Sequence, residues 1–285
     1  MSRIGIAVHR FRTDAPEIAR SIASWAHVHG ITTVIDEADS KVIASDLTTS
    51  GDVGDVDLLV AIGGDGTMLR AVRTLAGRCV PVIGVNLGVL GYLAAVEQDD
   101  ILDALELWRT GAQGSEFHFD DRMLLEVAMW SKGARLANLL ALNEVVIEKR
   151  EAGHTVRLGV DIDRAPFTTY AADGLILATP TGSTAYSMSA RGPILSPLLR
   201  AILMTPVSPH MLFDRSMVLD ARELVRIEVL GHRQVNVATD GDLVHTLHPG
   251  DVIEVSAAEE VARFVRFEEQ RFHQILKTKF GLSDR

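Results

Sequence analysis

The chain has 285 residues, 47% apolar and 23% charged, enough to build a real core in two domains or one large one. Its formal net charge of −10 argues against non-specific binding to nucleic acid or to an anionic membrane, although a local site can oppose the net charge. Cys79 is the single cysteine, which excludes an intrachain disulfide or a cysteine-based metal site and suits a reducing compartment. No apolar run approaches a membrane span, and the one in Met1–Arg10 is too short for a signal peptide. A cytoplasmic protein is expected.

Up to about residue 115 the pattern alternates strand and helix. Ile4–Val8 is a short apolar run, and Ile18, Ile22, Trp25 and Val28 recur at helical spacing. A strand at Thr32–Ile35 and a buried strand at Leu58–Ile62 follow. Ser50–Asp55 between them suits a surface loop. Met68, Leu69, Val72, Leu75 and Ala76 then predict a helix, Val80–Val85 a further strand, and Ile101, Leu102, Leu105 and Trp108 another amphipathic helix. Such alternation implies a parallel sheet covered on both faces. The pattern changes near Gly111–Gly114, beyond which period-two alternation dominates. Met123, Leu125, Val127 and Met129 point one way, as do Val156, Leu158, Val160 and Ile162, and then Val225, Ile227 and Val229. A β-rich domain, a sandwich, is expected there. Phe272, Ile275, Leu276 and Phe280 predict a terminal helix that must pack back on the first domain, because a lone helix cannot bury its face in water.

Gly63-Gly64-Asp65-Gly66-Thr67 sits at a strand-to-helix turn. Glycines there let backbone N–H groups approach a phosphate at a helix N-terminus. The carboxylate is the odd part, since each like-charge contact at ~4 Å costs on the order of 4 kcal/mol at an effective dielectric near 20. Asp65 is either an N-cap on a plain turn or a group with a metal-linked or proton-accepting role. A second unusual stretch runs from Ala171 to Ile194, where a strand ends at Pro180-Thr181-Gly182 and hydroxyls crowd at Thr181, Ser183, Thr184, Tyr186, Ser187 and Ser189. They either cap a short helix or form a polar wall for a ligand, with Tyr186 offering its face to a base. Asn143-Glu144 lies between apolar runs. The pair is a solvated strand end, or an amide for an adenine edge beside a carboxylate for vicinal ribose hydroxyls. Asp240-Gly241-Asp242 reads best as a hairpin turn.

Together these segments resemble the NAD kinase family. Gly63–Thr67 resembles its nucleotide signature, Val85–Leu93 its Asn-x-Gly-x-x-Gly-Phe-Leu segment, Asn143-Glu144 its Asn-Glu pair, and Asp173–Ile194 its long second signature. Val207-Ser208-Pro209-His210 and Asp240-Gly241 also have counterparts in order. The five-residue loop recurs in lipid and sugar kinases; the ordered set is far more specific. Arg191 departs from a usual Gly, and Asp242 from a common Gln.

The resemblance implies an α/β plus all-β fold: a Rossmann-like N-terminal domain (1–115), a β-sandwich dinucleotide-binding domain (116–262) and a C-terminal segment (263–285) whose helix packs back on the first. It implies γ-phosphoryl transfer to the 2′-hydroxyl of the adenosine ribose of NAD, giving NADP, in a homodimer or homotetramer. Asp65 would be the general base. Gly63, Gly64, Gly66 and Thr67 would form the phosphate loop. Asp65, Gly66, Arg70, Asn143, Glu144, His154, Asp173 and the run Thr184, Ala185, Tyr186, Ser187, Met188 and Ser189 would bind NAD. Mg²⁺ or another divalent cation would accompany ATP or polyphosphate, with no dedicated protein metal site. The rivals are a non-catalytic NAD(P) sensor, or a lipid or sugar kinase sharing the glycine loop.

Overall fold

The computed structural model describes residues 2–43, 45–88, 91–111, 116–267 and 272–282. Val89-Leu90 of the Val85–Leu93 segment, residues 112–115 at the expected change of pattern, and 268–271 and 283–285 of the C-terminal segment lie outside them. Two compact units divide the chain: Met1–Asp121 with Ala262–Arg285, and Arg122–Val261.

The first unit runs β1 (Arg3–Val8), α1 (Ala15–Val28), β2 (Thr32–Ile35), α2 (Glu37–Ile43), β3 (Thr48–Ser50), β4 (Leu58–Ile62), α3 (Asp65–Leu75), β5 (Val82–Asn86), β6 (Val96–Glu97) and α4 (Ile101–Thr110). Its sheet has the order β3-β2-β1-β4-β5, every pair parallel. All five residues of β4 and all five of β5 are buried, as continuous apolar strands covered on both faces should be. Helix α1 packs mainly through small residues, Ala15, Ala19, Ile22, Ala23 and Ala26. Val28, expected on that face, is 79% exposed at the helix end. Close packing of helix on sheet favours alanine there, which a pattern of large apolar residues does not reveal. Helix α2 and strand β3 were not foreseen: Glu37–Ile43 is mostly polar and buries only Asp39 and Ile43.

The second unit is antiparallel. It holds β7 (His118–Ser131), which begins in the first unit, β8 (Ala134–Ala141), β9 (Glu144–Lys149), β10 (Val156–Ile162), β11 (Ala165–Ala172) and β12 (Gly174–Ala178). Next come the short helix α5 (Tyr186–Ser189), β13 (Ala201–Val207), β14 (Met217–Asp220), β15 (Val225–Leu230), β16 (Val235–Thr239), β17 (Asp242–Leu247) and β18 (Val252–Arg266), which ends in the first unit. One sheet has the order β14-β13-β12-β9-β16-β17; facing it are β11, β10, β15, β18, β7 and β8. The expected inward residues Met123, Leu125, Val127, Leu158, Ile227 and Val229 meet Val145, Ile147, Leu175, Leu177 and Val237 in one core. This is the sandwich that the alternation predicts.

Phe264 of β18, already in the first unit, pairs in parallel with Val82 of β5. Residues 263–266 are therefore strand, and the terminal helix α6 is confined to Phe272–Phe280. It packs on the first unit as expected: the rings of Phe272 and Tyr92 lie 6.3 Å apart and Lys279 Nζ sits 4.5 Å over the Tyr92 ring.

Candidate active site

The glycine loop follows β4, and Gly63 N–H donates to Val85 O at 2.9 Å. A Cβ on Gly63 would overlap Thr67 Oγ1, so only glycine lets the turn close. Gly64 is the N-cap of α3, with no side-chain capping bond. Asp65 is the first helical residue, and its carboxylate turns away from the cap: Oδ2 accepts Tyr92 N–H and Oδ1 accepts Leu93 N–H, each at 3.0 Å. The N-cap alternative therefore fails. Gly91 is required beside it, because a Cβ there would overlap Asp65 Oδ1. Leu93 is held from its other side, its carbonyl accepting Arg266 Nη1 at 2.7 Å. Each Asp65 oxygen accepts one backbone bond and keeps a lone pair. The result is a fixed anion able to accept a proton at the start of a helix whose leading amides lack intrahelical acceptors.

Beside the loop lies a cavity of about 390 Å³, lined by Val8, His9, Arg10, Phe11, Gly64, Gly66, Thr67 and Arg70. Its wall is braced by Asp39, which is fully buried. Asp39 accepts Val8 N–H at 2.9 Å, Arg10 Nε at 2.7 Å and Arg70 Nη1 at 3.0 Å. Arg70 also donates to Val8 O. Arg70 thus borders the cavity but is anchored to Asp39, and does not project freely from a solvated helix face. A buried carboxylate between two guanidiniums satisfies the condition under which burying charge is tolerated.

In the second unit, Asn143 and Glu144 sit where β9 begins. Asp240 Oδ1 accepts Asn143 N–H at 2.7 Å and Glu144 N–H at 3.2 Å, while Oδ2 accepts Leu142 N–H at 2.9 Å. Asp240 and Gly241 have φ of 48° and 85°, the two positive values of a tight I′ hairpin turn. The turn expected from the sequence is present, and its side chain also fixes the Asn-Glu pair. Asn143 O accepts Thr179 N–H at 2.8 Å. A Cβ on Gly182 would strike the Asn143 backbone, so Gly182 is what lets the hydroxyl-rich turn approach.

Glu144 is 5% exposed, and its Oε2 has no hydrogen-bond partner among the described residues. Burial, then the Asp240 charge, push its carboxyl up to about 7; the Tyr186 backbone N–H opposes them. A folded pKa above the unfolded value means that the folded state binds more protons between the two. Stability is intact at and below about pH 4.5 and falls as pH rises toward 7. Glu144→Gln is expected to remove this slope and be more stable than wild type above pH 7, by on the order of 3 kcal/mol. Urea unfolding at pH 5 and pH 8 measures this; equal wild-type stability at both pH values would contradict it.

The hydroxyl run divides. Ser183 and Ser187 are fully buried: Ser183 Oγ donates to Pro180 O at 2.7 Å and accepts Leu195 N–H, and Ser187 Oγ shares a 3.0 Å bond with Thr205. Thr184 Oγ1 donates to Thr181 O. These hydroxyls hold the turn, and Ser187, buried throughout, offers no surface to a ligand. Tyr186 is 40% exposed, Ser189 and His154 are exposed, and Ala185 and Met188 half-buried. Asp173 pairs with Lys149 at 2.7 Å. Arg191 has φ of 67°, a left-handed position that favours glycine and explains why Arg there is a departure.

Arg10, Asp39, Lys149 and the carboxylate role of Asp240 were not foreseen. Asp39 lies in a polar segment with no local mark of burial. Asp240 carried one signal, an Asp-Gly turn directly after a strand.

Two family models match the chain: the ATP-NAD kinase N-terminal domain over residues 4–111 and the ATP-NAD kinase C-terminal domain over residues 142–267. The NAD kinase of Syntrophotalea carbinolica is 37% identical over 290 residues, covering 100% of both chains. That of Symbiobacterium thermophilum is 41% identical over 229 residues, 80% of each. The crystal structure of yeast NADH kinase complexed with NADH superposes with a TM-score of 0.90 at 27% identity, covering 100% of this chain and 89% of that one. An Archaeoglobus fulgidus NAD kinase in complex with ATP shares the fold, with a TM-score of 0.75 at 21% identity over 99% of this chain and 100% of that one. A lipid or sugar kinase that shares only the glycine loop is not favoured by matches of this extent. The chain belongs to the NAD kinase family.

Proposed function

We propose that this protein transfers the γ-phosphoryl group of ATP to the 2′-hydroxyl of the adenosine ribose of NAD, with Asp65 as the base that accepts the hydroxyl proton. The carrying observation is the Asp65 carboxylate, pinned by two backbone N–H groups at the head of a glycine-loop helix. An alcohol is a poor nucleophile at neutral pH, and a positioned base corrects this. Phosphoryl transfer otherwise needs positioning and charge neutralisation; in the loop Gly63–Thr67 the amides of Gly64 and Gly66 would supply them, while Gly63 N–H and Thr67 N–H bond Val85 O and Gly64 O and shape the turn.

Glu144 takes the ribose hydroxyls, a role supported by its unpartnered Oε2, and Asn143 takes the adenine edge. Gly66, Arg70, His154, Asp173, Thr184, Ala185, Tyr186, Met188 and Ser189 complete the dinucleotide contacts, with the buried Ser187 bracing the turn that carries them. Tyr186→Ala is expected to weaken NAD binding about tenfold, by loss of a stacking face, as measured by calorimetry. Unchanged affinity would remove Tyr186 from the pocket.

The cation is Mg²⁺ or another divalent ion. Such an ion is held largely by the substrate's phosphates, which suits a glycine loop whose one carboxylate, Asp65, is kept for the hydroxyl proton. When bound, it neutralises phosphate charge. Inorganic polyphosphate is the alternative donor. The protein works in the cytoplasm as a homodimer or homotetramer; exposed Leu198, Leu199 and Leu212 on the second unit support association. No helix among the described residues is long and apolar enough to cross a membrane. Incubation with NAD, ATP and Mg²⁺ is expected to yield NADP. Binding of NAD without NADP would favour a sensor.

A further inference from the structure

Phe11 is 92% exposed in the segment linking β1 to α1, and it lines the same cavity as Gly64, Gly66 and Thr67. That shared position follows from topology. Strands β1 and β4 are parallel neighbours with Val8 opposite Ile62, so the loops that leave them emerge side by side at the carboxyl edge of the sheet, where open α/β sheets bind ligands.

An exposed phenylalanine alone means little. This one is presented by a braced loop. On one side Arg10 is tied to Asp39 at 2.7 Å. On the other, Arg12 bonds Asp14 through Nε at 3.0 Å and also donates to Leu87 O. Phe11 N–H donates to His9 Nδ1, and the His9 and Phe11 rings meet edge to face with centroids 6.2 Å apart. These bonds brace the loop on both sides of Phe11, so the ring projects beside the glycine turn with its surface left open. A flat, apolar surface next to a row of amides matches a ligand with a planar base at one end and phosphates at the other.

We propose that Phe11 is the donor-specificity residue: its ring stacks on the purine of a nucleoside triphosphate whose phosphates lie along Gly64–Thr67. This rests on the reading that the glycine loop takes the phosphoryl donor. Stacking on an aromatic side chain responds to the base and is indifferent to phosphate, so Phe11 would make the enzyme prefer ATP over inorganic polyphosphate.

The test uses the full chain with NAD and Mg²⁺, comparing wild type, Phe11→Ala and Phe11→Trp. Phe11→Ala is expected to raise the KM for ATP about tenfold, and Phe11→Trp to restore it. The Ki of inorganic tripolyphosphate against ATP should stay within twofold, as should the KM for NAD. An unchanged KM for ATP in Phe11→Ala would overturn the proposal. So would equal weakening of ATP and tripolyphosphate, which would make the ring a support for the phosphate turn. Failure of tripolyphosphate to inhibit wild type would place the phosphates elsewhere and also overturn it. NADP formation by wild type is scored separately, so the kinase assignment and the role of Phe11 fail independently.

Discussion

Asp65→Asn is expected to lower kcat by about 10²- to 10⁴-fold, the range over which a positioned base contributes, while the Kd for NAD stays within a few-fold. The side chain keeps its size but loses its ability to take a proton. The carboxylate now serves two N–H donors, Tyr92 on one oxygen and Leu93 on the other. An amide offers one acceptor oxygen, and its NH₂ faces the second donor. One backbone N–H is then left unpaired, at about 1–3 kcal/mol. A modest fall in Tm should therefore accompany the loss of rate. Stopped-time assays of NADP with calorimetry of NAD separate the effects. Near-normal kcat in a folded variant would show that another group takes the proton.

Asp240→Ala is expected to cost roughly 2–4 kcal/mol in stability, since three backbone N–H donors at Leu142, Asn143 and Glu144 lose their acceptor together. In a chain of this size that is a fall in Tm of about 5–10 °C. A second consequence has the opposite sign for Glu144. Burial is the main cause of its raised pKa and the Asp240 charge the next. Removing that charge moves the Glu144 titration down from about 7. NAD binding that needs the Glu144 carboxylate strengthens as pH rises through its pKa, so the midpoint should shift to lower pH in the variant while overall affinity drops. Asp240→Asn, which keeps one acceptor oxygen, should lie between. Scanning calorimetry and NAD titrations from pH 5 to 8 measure both. An unshifted midpoint would mean that Glu144 does not govern the pH dependence.

What the sequence revealed follows from the range of the interactions. Alternating strands and helices, and then period-two alternation, are local patterns, and both carried through to the two units. The glycine loop and the Asn-Glu pair were visible because their residue types are unusual where they stand. The ordered set of motifs drew attention to Asp65, but its anchoring was not legible: the partners at Tyr92 and Leu93 are 27 and 28 residues away. Asp39 reaches Val8 and Arg70, each 31 residues distant, from a polar helix that resembles surface. Asp240 lies 97 residues from Asn143, so its Asp-Gly signal announced a turn and nothing of what the carboxylate would hold. The hydroxyl run misled in part for a different reason. Ser and Thr look alike in sequence whether they bond inward, as Ser183 and Ser187 do, or face solvent.

The Leu93 peptide is gripped on both sides, its N–H by Asp65 and its carbonyl by Arg266, 173 residues further along. Closing so long a loop has an entropic cost that must be met before the contact gives anything back. On the ribosome, the glycine loop and Asp65 emerge early, and a nascent first unit could form much of its parallel sheet. The last anchor of the peptide that holds Asp65 is not available until Arg266 has been made, long after the glycine loop itself. A chain stopped before Arg266 would carry the glycine loop with its carboxylate loosely held.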